Sequence, residues 1–493
     1  MAKYILALDQ GTTSSRALLF DRQGRPIAKA QQEITQIYPH PGWVEHDPIE
    51  IWETQLYTAR QAIESAGIKP EDIMAIGIAN QRETTVIWNR FTGKPIYNAI
   101  VWQCRRTSEL CENIFPENMR AYISENTGLL VDAYFSATKI RWLLDKINNG
   151  RFLAQQGDLL FGTIDSWLVW NLTGGKLHIT DYSNASRTML YNISNLQWDD
   201  KILSFLDIPS HILPTVKQSS EIYGMTDPDL FGAEIPVAGL AGDQQASLFG
   251  HTCFEEGMVK NTYGTGCFAL MQTGSKLIRS SHKLLTTIAW GLEGKINYAL
   301  EGSVFIGGAV IQWLRDELGL LQNSDESEEY ASQVPDTNGV YFVPAFVGLG
   351  APYWNMNAKG IITGLTRGAN RKHIIRAALE SIAFQTNDVL LAMQKDTNIP
   401  VKALRVDGGA ANNKFLMQFQ ADISSTSVQP APIPEVTALG AAYLAGLACG
   451  FWKSKNELPS FSCSSPSYLP KISSSAREKH LNNWFKAVKQ AII

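Results

Sequence analysis

The chain has 493 residues, of which 45% are hydrophobic and 18% are charged, and its formal net charge is −4. This length exceeds what one hydrophobic core usually supports, so we expect two large domains. The slightly acidic balance argues against a general polyanion-binding protein, and nucleic acid is not an expected partner. The six cysteines form no C-x-x-C pair and have no histidines at zinc spacing, which favours reduced thiols in a cytoplasmic protein.

The sequence shows no targeting or membrane segment. The opening "MAKYILALD" lacks a basic region followed by a long apolar stretch, so it predicts a strand rather than a signal peptide. The longest apolar segment, "ALGAAYLAGLACGFW", is too short to cross a bilayer, and its glycines and alanines predict a closely packed helix. We therefore expect no stable membrane association. The histidines show no metal-binding spacing, and we assign none of them a role.

Short β-rich runs separated by turn signals open the chain. Strands are predicted at Tyr4–Leu8, at Ala17–Phe20 and from Ile27 onward, which is the pattern of an antiparallel meander rather than a βαβ unit. A helical pattern then runs from Pro48 to Ser65, and a strand follows from Ile73 to Ala79. This order indicates an α/β fold in which strands and helices alternate around a mixed sheet.

The second half begins in a similar way. The stretch "MVKNTYGTGCFALMQTG" predicts strand, glycine- and threonine-rich turn and strand, so each half opens with a hydroxyl-rich hairpin. Further on, Arg371–Met393 is the clearest amphipathic helix, and "ALRVDGGAANNKFLMQFQADI" reads as strand, glycine turn and helix. We place the domain boundary near His251, which gives domains at 1–251 and 252–455 and a C-terminal extension at 456–493; the Ser-, Pro- and Lys-rich stretch from Ser454 to Ser475 predicts a surface segment.

The first hairpin tip, "DQGTTSSR", carries one carboxylate, one guanidinium and four hydroxyls around a glycine. These groups suit phosphate and a hydrated metal ion, although a polar turn without a ligand would have the same composition. The chain has no G-x-x-x-x-G-K-[ST] motif. The sequence "GTGCFA" imitates a dinucleotide-binding motif, but it lies within the second hairpin and does not open a helix, so we reject a Rossmann fold.

Three further motifs follow predicted strands and carry candidate ligand-binding groups. In "NQRET", Arg82 supplies only donors and Glu83 only acceptors, so together they could bind two hydroxyls of a polyol; the alternative is a surface ion pair. In "AGDQQA", Asp243 is either an exposed ligand-facing carboxylate or a helix N-cap. In "AIVWQCRRT", Trp102 offers a flat apolar wall, or it lies in the core as most tryptophans do.

Taken together, a set of motifs resembles the FGGY carbohydrate kinase family, and within it the members that phosphorylate glycerol. The motifs are "DQGTTSSR", "PGWVEHDP", "NQRETT", "AIVWQCRRT", "DYSNASRTML", "GDQQA", "KNTYGTGCF", "VPAFVGLGAPYW", "VDGGAANN" and "EVTALGAAYLAGLA". The likeness runs from about Tyr4 to about Trp452; only Lys146, at the end of the signature "YFSATKIRWLLDK", departs from the residue types that the family usually has there. The resemblance implies two ribonuclease H-like domains of the actin and heat-shock chaperone superfamily, with ATP held between them.

The resemblance also implies roles for individual residues. Asp9 would hold Mg²⁺ through water, and Asp243 would be the general base. The residues expected to bind the nucleotide are Thr12, Thr13, Ser14, Arg16, Thr265, Gly308, Gln312, Gly409 and Asn413. Those expected to bind glycerol are Arg82, Glu83, Tyr134, Asp243 and Gln244, with Trp102 and Phe268 against its carbon chain.

The expected reaction is therefore ATP-dependent phosphorylation of glycerol to sn-glycerol 3-phosphate. Two alternatives remain at this point: a kinase for another small polyol or sugar, and a non-kinase ATPase of the same superfamily. A homo-oligomer, dimer or tetramer, is also expected. The loop Gly224–Pro236 is acidic and contains no histidine, so the sugar-bisphosphate and phosphohistidine regulation of some relatives is not expected.

Overall fold

A computed structural model describes residues 3–459 and 467–492 of the chain. The strands of the first half are β1 Tyr4–Gln10, β2 Ser14–Phe20, β3 Pro26–Glu33, β4 Glu45–His46, β5 Ile73–Asn80, β6 Val86–Asn89, β7 Ala99–Ile100, β8 Leu159–Gly162, β9 Ile179–Asp181, β10 Tyr191–Asn192, β11 Gln197–Trp198, β12 Thr215–Lys217, β13 Ser220–Met225 and β14 Pro236–Gly242. Its helices are α1 Pro48–Ser65, α2 Ser108–Asn113, α3 Glu117–Thr127, α4 Ser136–Lys146, α5 Gly150–Gln156, α6 Ile164–Leu172, α7 Tyr182–Ala185, α8 Asp200–Leu206, α9 Pro228–Phe231 and α10 Asp243–Gly250.

The second half contains fewer and longer elements. Its strands are β15 Met258–Tyr263, β16 Cys267–Gly274, β17 Leu285–Leu292, β18 Lys295–Val304, β19 Tyr341–Val343, β20 Ile361–Thr363, β21 Ala403–Asp407 and β22 Val428–Pro430. Its helices are α11 Ala309–Asp316, α12 Glu326–Ser332, α13 Arg371–Thr397, α14 Lys414–Ser424, α15 Val436–Ala448 and α16 Ser474–Ile492.

The first large sheet has six strands in the order β13-β14-β5-β1-β2-β3. The strands β1, β2 and β3 form the predicted antiparallel meander, whereas β5 runs parallel to β1 and β14 parallel to β5.

Helix α1 has the predicted bounds because its sequence marks both its start and its buried face. Asp47 accepts a hydrogen bond from the backbone N of Ile49 at 2.8 Å, Pro48 occupies the first turn, and Ile51 and Ala62 are buried.

The second large sheet repeats this arrangement, with the order β17-β18-β16-β15-β21-β22. Here β16 pairs antiparallel with β15 and β18, and the parallel strands β15, β21 and β22 correspond to β1, β5 and β14. The chain therefore has two α/β units of similar connectivity, as the two hairpins predicted. In parallel strands the carboxyl ends share one edge of the sheet, and this edge is where ligand sites form in such folds.

Helix α15 shows how the two halves are joined. It is the glycine- and alanine-rich segment predicted to be a closely packed helix, and it packs on β1, β5 and β14 of the first sheet. A methyl group at Gly77 would collide with the carbonyl of Ala441, so only glycine permits this approach. The chain thus returns from the second sheet to the first before it ends.

The C-terminal segment contributes to the second core. Trp484 in α16 is buried, stacks on Phe384 of α13 with ring centroids 5.0 Å apart, and donates from Nε1 to Asp388 Oδ2 at 2.8 Å. The later part of the C-terminal extension predicted at 456–493 therefore packs into the core of the second half. Among residues 3–459 and 467–492, none of the helices combines the length and the apolar character that spanning a bilayer requires.

Candidate active site

The loops that carry the sequence motifs meet where three parallel strands end. Gln10 at the end of β1 pairs with Asn80 at the end of β5, and Asn80 pairs with Gly242 at the end of β14. The motifs "DQGTTSSR", "NQRET" and "GDQQA" begin at these ends, so the strand register places them along one edge of the sheet. In the second sheet Thr262 pairs with Asp407, which brings the glycine turns after β15 and β21 together in the same way.

The first hairpin presents two of its hydroxyl residues at its tip. The backbone N of Gly11 donates to the carbonyl of Ser14 at 3.0 Å, which closes the turn and leaves Thr13 exposed and Thr12 half-buried. Ser14 itself is buried, and its hydroxyl accepts a hydrogen bond from Gln31 Nε2 at 3.1 Å. Its hydroxyl also accepts from Arg16 Nε at 3.5 Å, so Ser14 is less accessible than Thr12 and Thr13 but lies beside the cation that was expected to act with it.

Asp9 and Arg16 face each other across the same hairpin. They are register partners in β1 and β2, and Arg16 Nη1 lies 3.7 Å from Asp9 Oδ2. Burial raises the pKa of Asp9, and the charge of Arg16 partly opposes this rise. The pair places one carboxylate and one cation at the base of the loop that carries Thr12 and Thr13.

Arg82, Glu83 and Asp243 form one charged group. Arg82 Nε lies 3.3 Å from Asp243 Oδ1 and 3.8 Å from Glu83 Oε1. Arg82 and Glu83 are 3% and 2% exposed, so the alternative of a surface ion pair is wrong. Glu83 adopts a φ of 59°, in the left-handed region that non-glycine residues rarely occupy and that is common at functional sites.

Asp243 is the more accessible member of this group. Its side chain is 31% exposed, and it opens α10, where its Oδ1 accepts a hydrogen bond from the backbone N of Gln244 at 2.7 Å. Burial raises the pKa of Asp243, whereas the charges of Arg82 and Lys260 lower it. The carboxylate therefore has a cation beside it and an open side from which a ligand can approach.

Two buried residues that the sequence interpretation missed complete this group. Glu301 in β18 accepts from Arg82 through both oxygens, at 2.6 Å from Nη1 and 3.0 Å from Nη2. Arg187 donates from Nε to Glu83 Oε1 at 2.6 Å. Although burial opposes it, the charges of Arg187 and Arg82 hold the pKa of Glu301 below its ordinary value. A lone glutamate in the apolar strand "NYALEGSV" was the available sequence signal.

Three aromatic rings stand together beside these charges. The ring of Trp102 lies 5.6 Å from that of Tyr134 and 6.5 Å from that of Phe268, measured between centroids. Trp102 is half-buried, and its Nε1 donates to Thr12 Oγ1 at 2.9 Å. Phe268 comes from β16 of the second half, so the aromatic group joins the two halves and contacts the first hairpin.

Gln244 is fixed by a buried lysine that was also missed. Lys260 Nζ donates to Gln244 Oε1 and, at 3.0 Å, to Thr262 Oγ1. Burial lowers the pKa of Lys260 to about 8, against the opposing charges of Asp407 and Asp243. Nearby, Asp407 Oδ2 accepts from Ser247 Oγ at 2.8 Å and from His251 Nε2 at 2.9 Å, so α10 is tied to the end of β21.

Five of the residues predicted to bind the nucleotide line one cavity of about 800 Å³ in the second half. Its walls include Thr265, predicted for the second phosphate loop, and the four residues predicted for the adenosine side: Gly308, Gln312, Gly409 and Asn413. Gly408 has a φ of 88°, and a Cβ there would stand 2.5 Å from the carbonyl oxygen of Tyr263, whereas a Cβ at Gly409 would meet open space. The glycine turn therefore lets the backbone itself form a wall of the cavity.

The described residues contain no group of three or more histidine, cysteine, aspartate or glutamate side chains that could hold a metal ion alone. Asp9 of β1 pairs with Ala79 of β5, and Gly242, directly before Asp243, pairs with Asn80, so Asp9 and Asp243 lie at the same edge of the first sheet. Mg²⁺ in phosphoryl-transfer sites is commonly bound by one or two carboxylates together with water and substrate phosphates. These two oxygen donors fit that mode of binding.

Two family models and several relatives match the chain. Residues 4–250 match the N-terminal domain, and residues 259–449 the C-terminal domain, of the "FGGY family of carbohydrate kinases". The chain is 62% identical over 492 residues to "Glycerol kinase" of Caldanaerobacter subterraneus subsp. tengcongensis, covering 100% of this chain and 99% of that protein. It is 59% identical over 490 residues to "Glycerol kinase 2" of Thermotoga maritima, covering 99% of each.

Solved structures agree with these matches. The crystal structure of Plasmodium falciparum glycerol kinase with ADP is 38% identical, with a TM-score of 0.95, and the match covers 99% of this chain and 98% of that one. A gluconate kinase from Lactobacillus acidophilus is 23% identical, with a TM-score of 0.88 and coverage of 99% and 97%. The second likeness concerns the fold alone.

Proposed function

The chain belongs to the FGGY family of carbohydrate kinases, and we infer from this that it phosphorylates glycerol with ATP, giving ADP and sn-glycerol 3-phosphate. The observation that carries the choice of substrate is that the charged group of Arg82, Glu83 and Asp243 lies close to an aromatic one: the ring of Tyr134, which contacts that of Trp102, is 5.4 Å from the guanidinium of Arg187, the partner of Glu83. Charged donors and acceptors on one side suit hydroxyls, and aromatic rings on the other suit a short carbon chain.

In the mechanism that we propose, Asp243 is the general base. Its carboxylate accepts the proton of a terminal glycerol hydroxyl while that oxygen attacks the γ-phosphorus and the bond to the bridging oxygen of ADP breaks. Its 31% exposure and its position at the start of α10 support this role. The cation of Arg82, 3.3 Å away, favours the ionised form that a base requires.

Arg82 and Glu83 then bind the remaining hydroxyls of glycerol. Glu301 and Gln245 accept three hydrogen bonds from Arg82, which leaves its Nε and one further N–H of the guanidinium for Asp243 and the substrate. Glu83 accepts from a hydroxyl, and Gln244, held by Lys260, contributes an amide. The rings of Trp102, Tyr134 and Phe268 exclude water and bulkier sugars.

We propose that the nucleotide is held between the two hairpins. Thr265, Gly308, Gln312, Gly409 and Asn413 would contact adenosine and the inner phosphates, because they line the 800 Å³ cavity. Thr12, Thr13, Ser14 and Arg16 would contact the outer phosphates. Asp9 would hold Mg²⁺ through water, and this ion would neutralise phosphate charge.

Two further properties are proposals of the same kind. The five described cysteines are free thiols, which supports a reducing compartment and hence a cytoplasmic location; Cys463 lies outside the described residues. A dimer or tetramer is proposed from the family resemblance, and the molar mass in solution tests it.

A coupled assay of ADP release with Mg-ATP and glycerol, dihydroxyacetone, xylulose or gluconate tests the function. We expect saturable release that is strongest with glycerol. Preference for xylulose or gluconate would overturn the pocket assignment while leaving the ATP site intact. Slow release that is independent of every substrate would instead support an ATPase.

A further inference from the structure

Four buried side chains of alternating charge form a closed ring beside the proposed glycerol pocket. Glu301 contacts Arg82 at 2.6 Å and Arg187 at 3.3 Å, and Glu83 contacts Arg187 at 2.6 Å and Arg82 at 3.8 Å. Each of the four is at most 3% exposed. We call these residues the charge ring. Arg82 and Glu83 are the members proposed to touch glycerol, whereas Glu301 and Arg187 stand behind them.

We propose that Glu301 and Arg187 are positioning residues for glycerol: Glu301 fixes the guanidinium of Arg82, and Arg187 fixes the carboxylate of Glu83. This inference rests on the proposed function. A guanidinium held through two parallel hydrogen bonds has a defined plane as well as a defined place, which a single contact does not provide. Glu301 thereby determines the direction in which the remaining N–H groups of Arg82 point.

Without Glu301, the nearest carboxylate for Arg82 is the proposed base. Arg82 Nε already lies 3.3 Å from Asp243 Oδ1; Nη2 would lose its acceptor, and Nη1 would keep only Gln245 Oε1 at 3.2 Å. A buried cation that loses its partner turns to another acceptor within reach, because leaving it unpaired is costly. The expected result is a tighter contact between Arg82 and Asp243, which removes donors from glycerol and occupies the base.

The charge ring also makes the pocket depend on both halves of the chain. Arg82, Glu83 and Arg187 belong to the first half, whereas Glu301 lies in β18 of the second sheet. Glu301 accepts the hydrogen bond from Nη2 of Arg82 only when β18 packs against the first half. Glycerol binding is therefore coupled to the contact between the halves through one carboxylate.

The test is the variant Glu301→Gln, which keeps the size of the side chain and removes its charge. We expect the KM for glycerol to rise by about 10-fold or more, while the KM for ATP stays within about twofold. The matched control is Glu380→Gln, because Glu380 is also buried in the second half and pairs with Arg376 at 2.8 Å. That variant should leave the KM for glycerol within about twofold.

A double-mutant cycle distinguishes positioning from general damage. In an Arg82→Ala background the change Glu301→Gln should add little to the KM for glycerol, because its target is gone. Arg187→Lys keeps the charge but loses the planar fork, and it should also raise the KM for glycerol selectively. If Glu301→Gln does not fold, as judged by circular dichroism, Glu301→Asp takes its place with the same expectation.

Equal changes in both KM values, or none, in a folded variant would overturn the proposal, and so would full additivity with Arg82→Ala. The proposed function fails separately, when the unaltered protein shows no glycerol-dependent release of ADP.

Discussion

Replacing Asp243 by asparagine is the sharpest test of the proposed mechanism, because it removes the proton acceptor while changing little else. Asparagine has nearly the same shape, and its side-chain oxygen can still accept the 2.7 Å hydrogen bond from the backbone N of Gln244. The start of α10 should therefore survive. What is lost is the negative charge 3.3 Å from Arg82 Nε and the ability to take a proton from glycerol.

The magnitude follows from the role assigned to the carboxylate. General-base catalysis contributes about 10²- to 10⁴-fold, which corresponds to about 3–5 kcal/mol of activation free energy. We expect kcat of Asp243→Asn to fall by this factor. The affinity for ATP should change little, because the residues proposed to hold adenosine line a cavity whose walls do not include Asp243.

The measurement is the coupled ADP-release assay at saturating glycerol and ATP, together with titration calorimetry of the nucleotide. Asp47→Asn is the control, because Asp47 likewise accepts a hydrogen bond from a backbone N at the start of a helix, and asparagine is an equally good cap. A rate for Asp243→Asn within about 10-fold of the unaltered protein would refute the assignment of the base.

Three other predictions concern pH, the nucleotide turn and the second core. The base must be ionised to act, and burial raises the pKa of Asp243 above 3.8, so kcat should fall on acidification at a pH above 3.8. A fall in kcat only at or below pH 3.8 would contradict this, and so would the same acidic fall in Asp243→Asn. Gly408→Ala should weaken ATP binding, because alanine is strained at a φ of 88° and its Cβ would collide with the carbonyl of Tyr263; Gly409→Ala should not, because its Cβ would meet open space. Titration calorimetry that shows equal losses of ATP affinity in both variants would refute this. Trp484→Ala should lower the free energy of unfolding in urea by about 3–5 kcal/mol, against less than about 0.5 for its exposed neighbour Phe485→Ala, and similar losses would contradict the packing.

The elements that the sequence predicted well are those with local signals at both ends. Helix α1 has an aspartate cap, a proline in its first turn and a regular buried face, and its predicted bounds, Pro48 and Ser65, are those of the structure. The two hairpins were recognisable because turn residues separate short β-rich runs. The parallel register that aligns "NQRET" with "GDQQA" is a consequence of the fold class, which the family resemblance supplied.

The contacts that escaped prediction join residues far apart in the chain. Glu301 and Arg82 are separated by 219 positions, and nothing local marks one as the partner of the other. The same holds for His251 and Asp407, which are 156 positions apart.

The proposed glycerol and nucleotide sites present different recognition problems, and their composition differs accordingly. ATP carries its own charges, so exposed loops that offer backbone N–H groups, hydroxyls and amides are sufficient to orient it. Glycerol is small and uncharged, and three hydroxyls are all that distinguishes its orientations. Its site must therefore hold donors and acceptors rigidly, and a closed ring of buried charges does this because no member can turn without leaving another unpaired. Such a ring costs desolvation free energy, which its proposed role in orienting glycerol would offset.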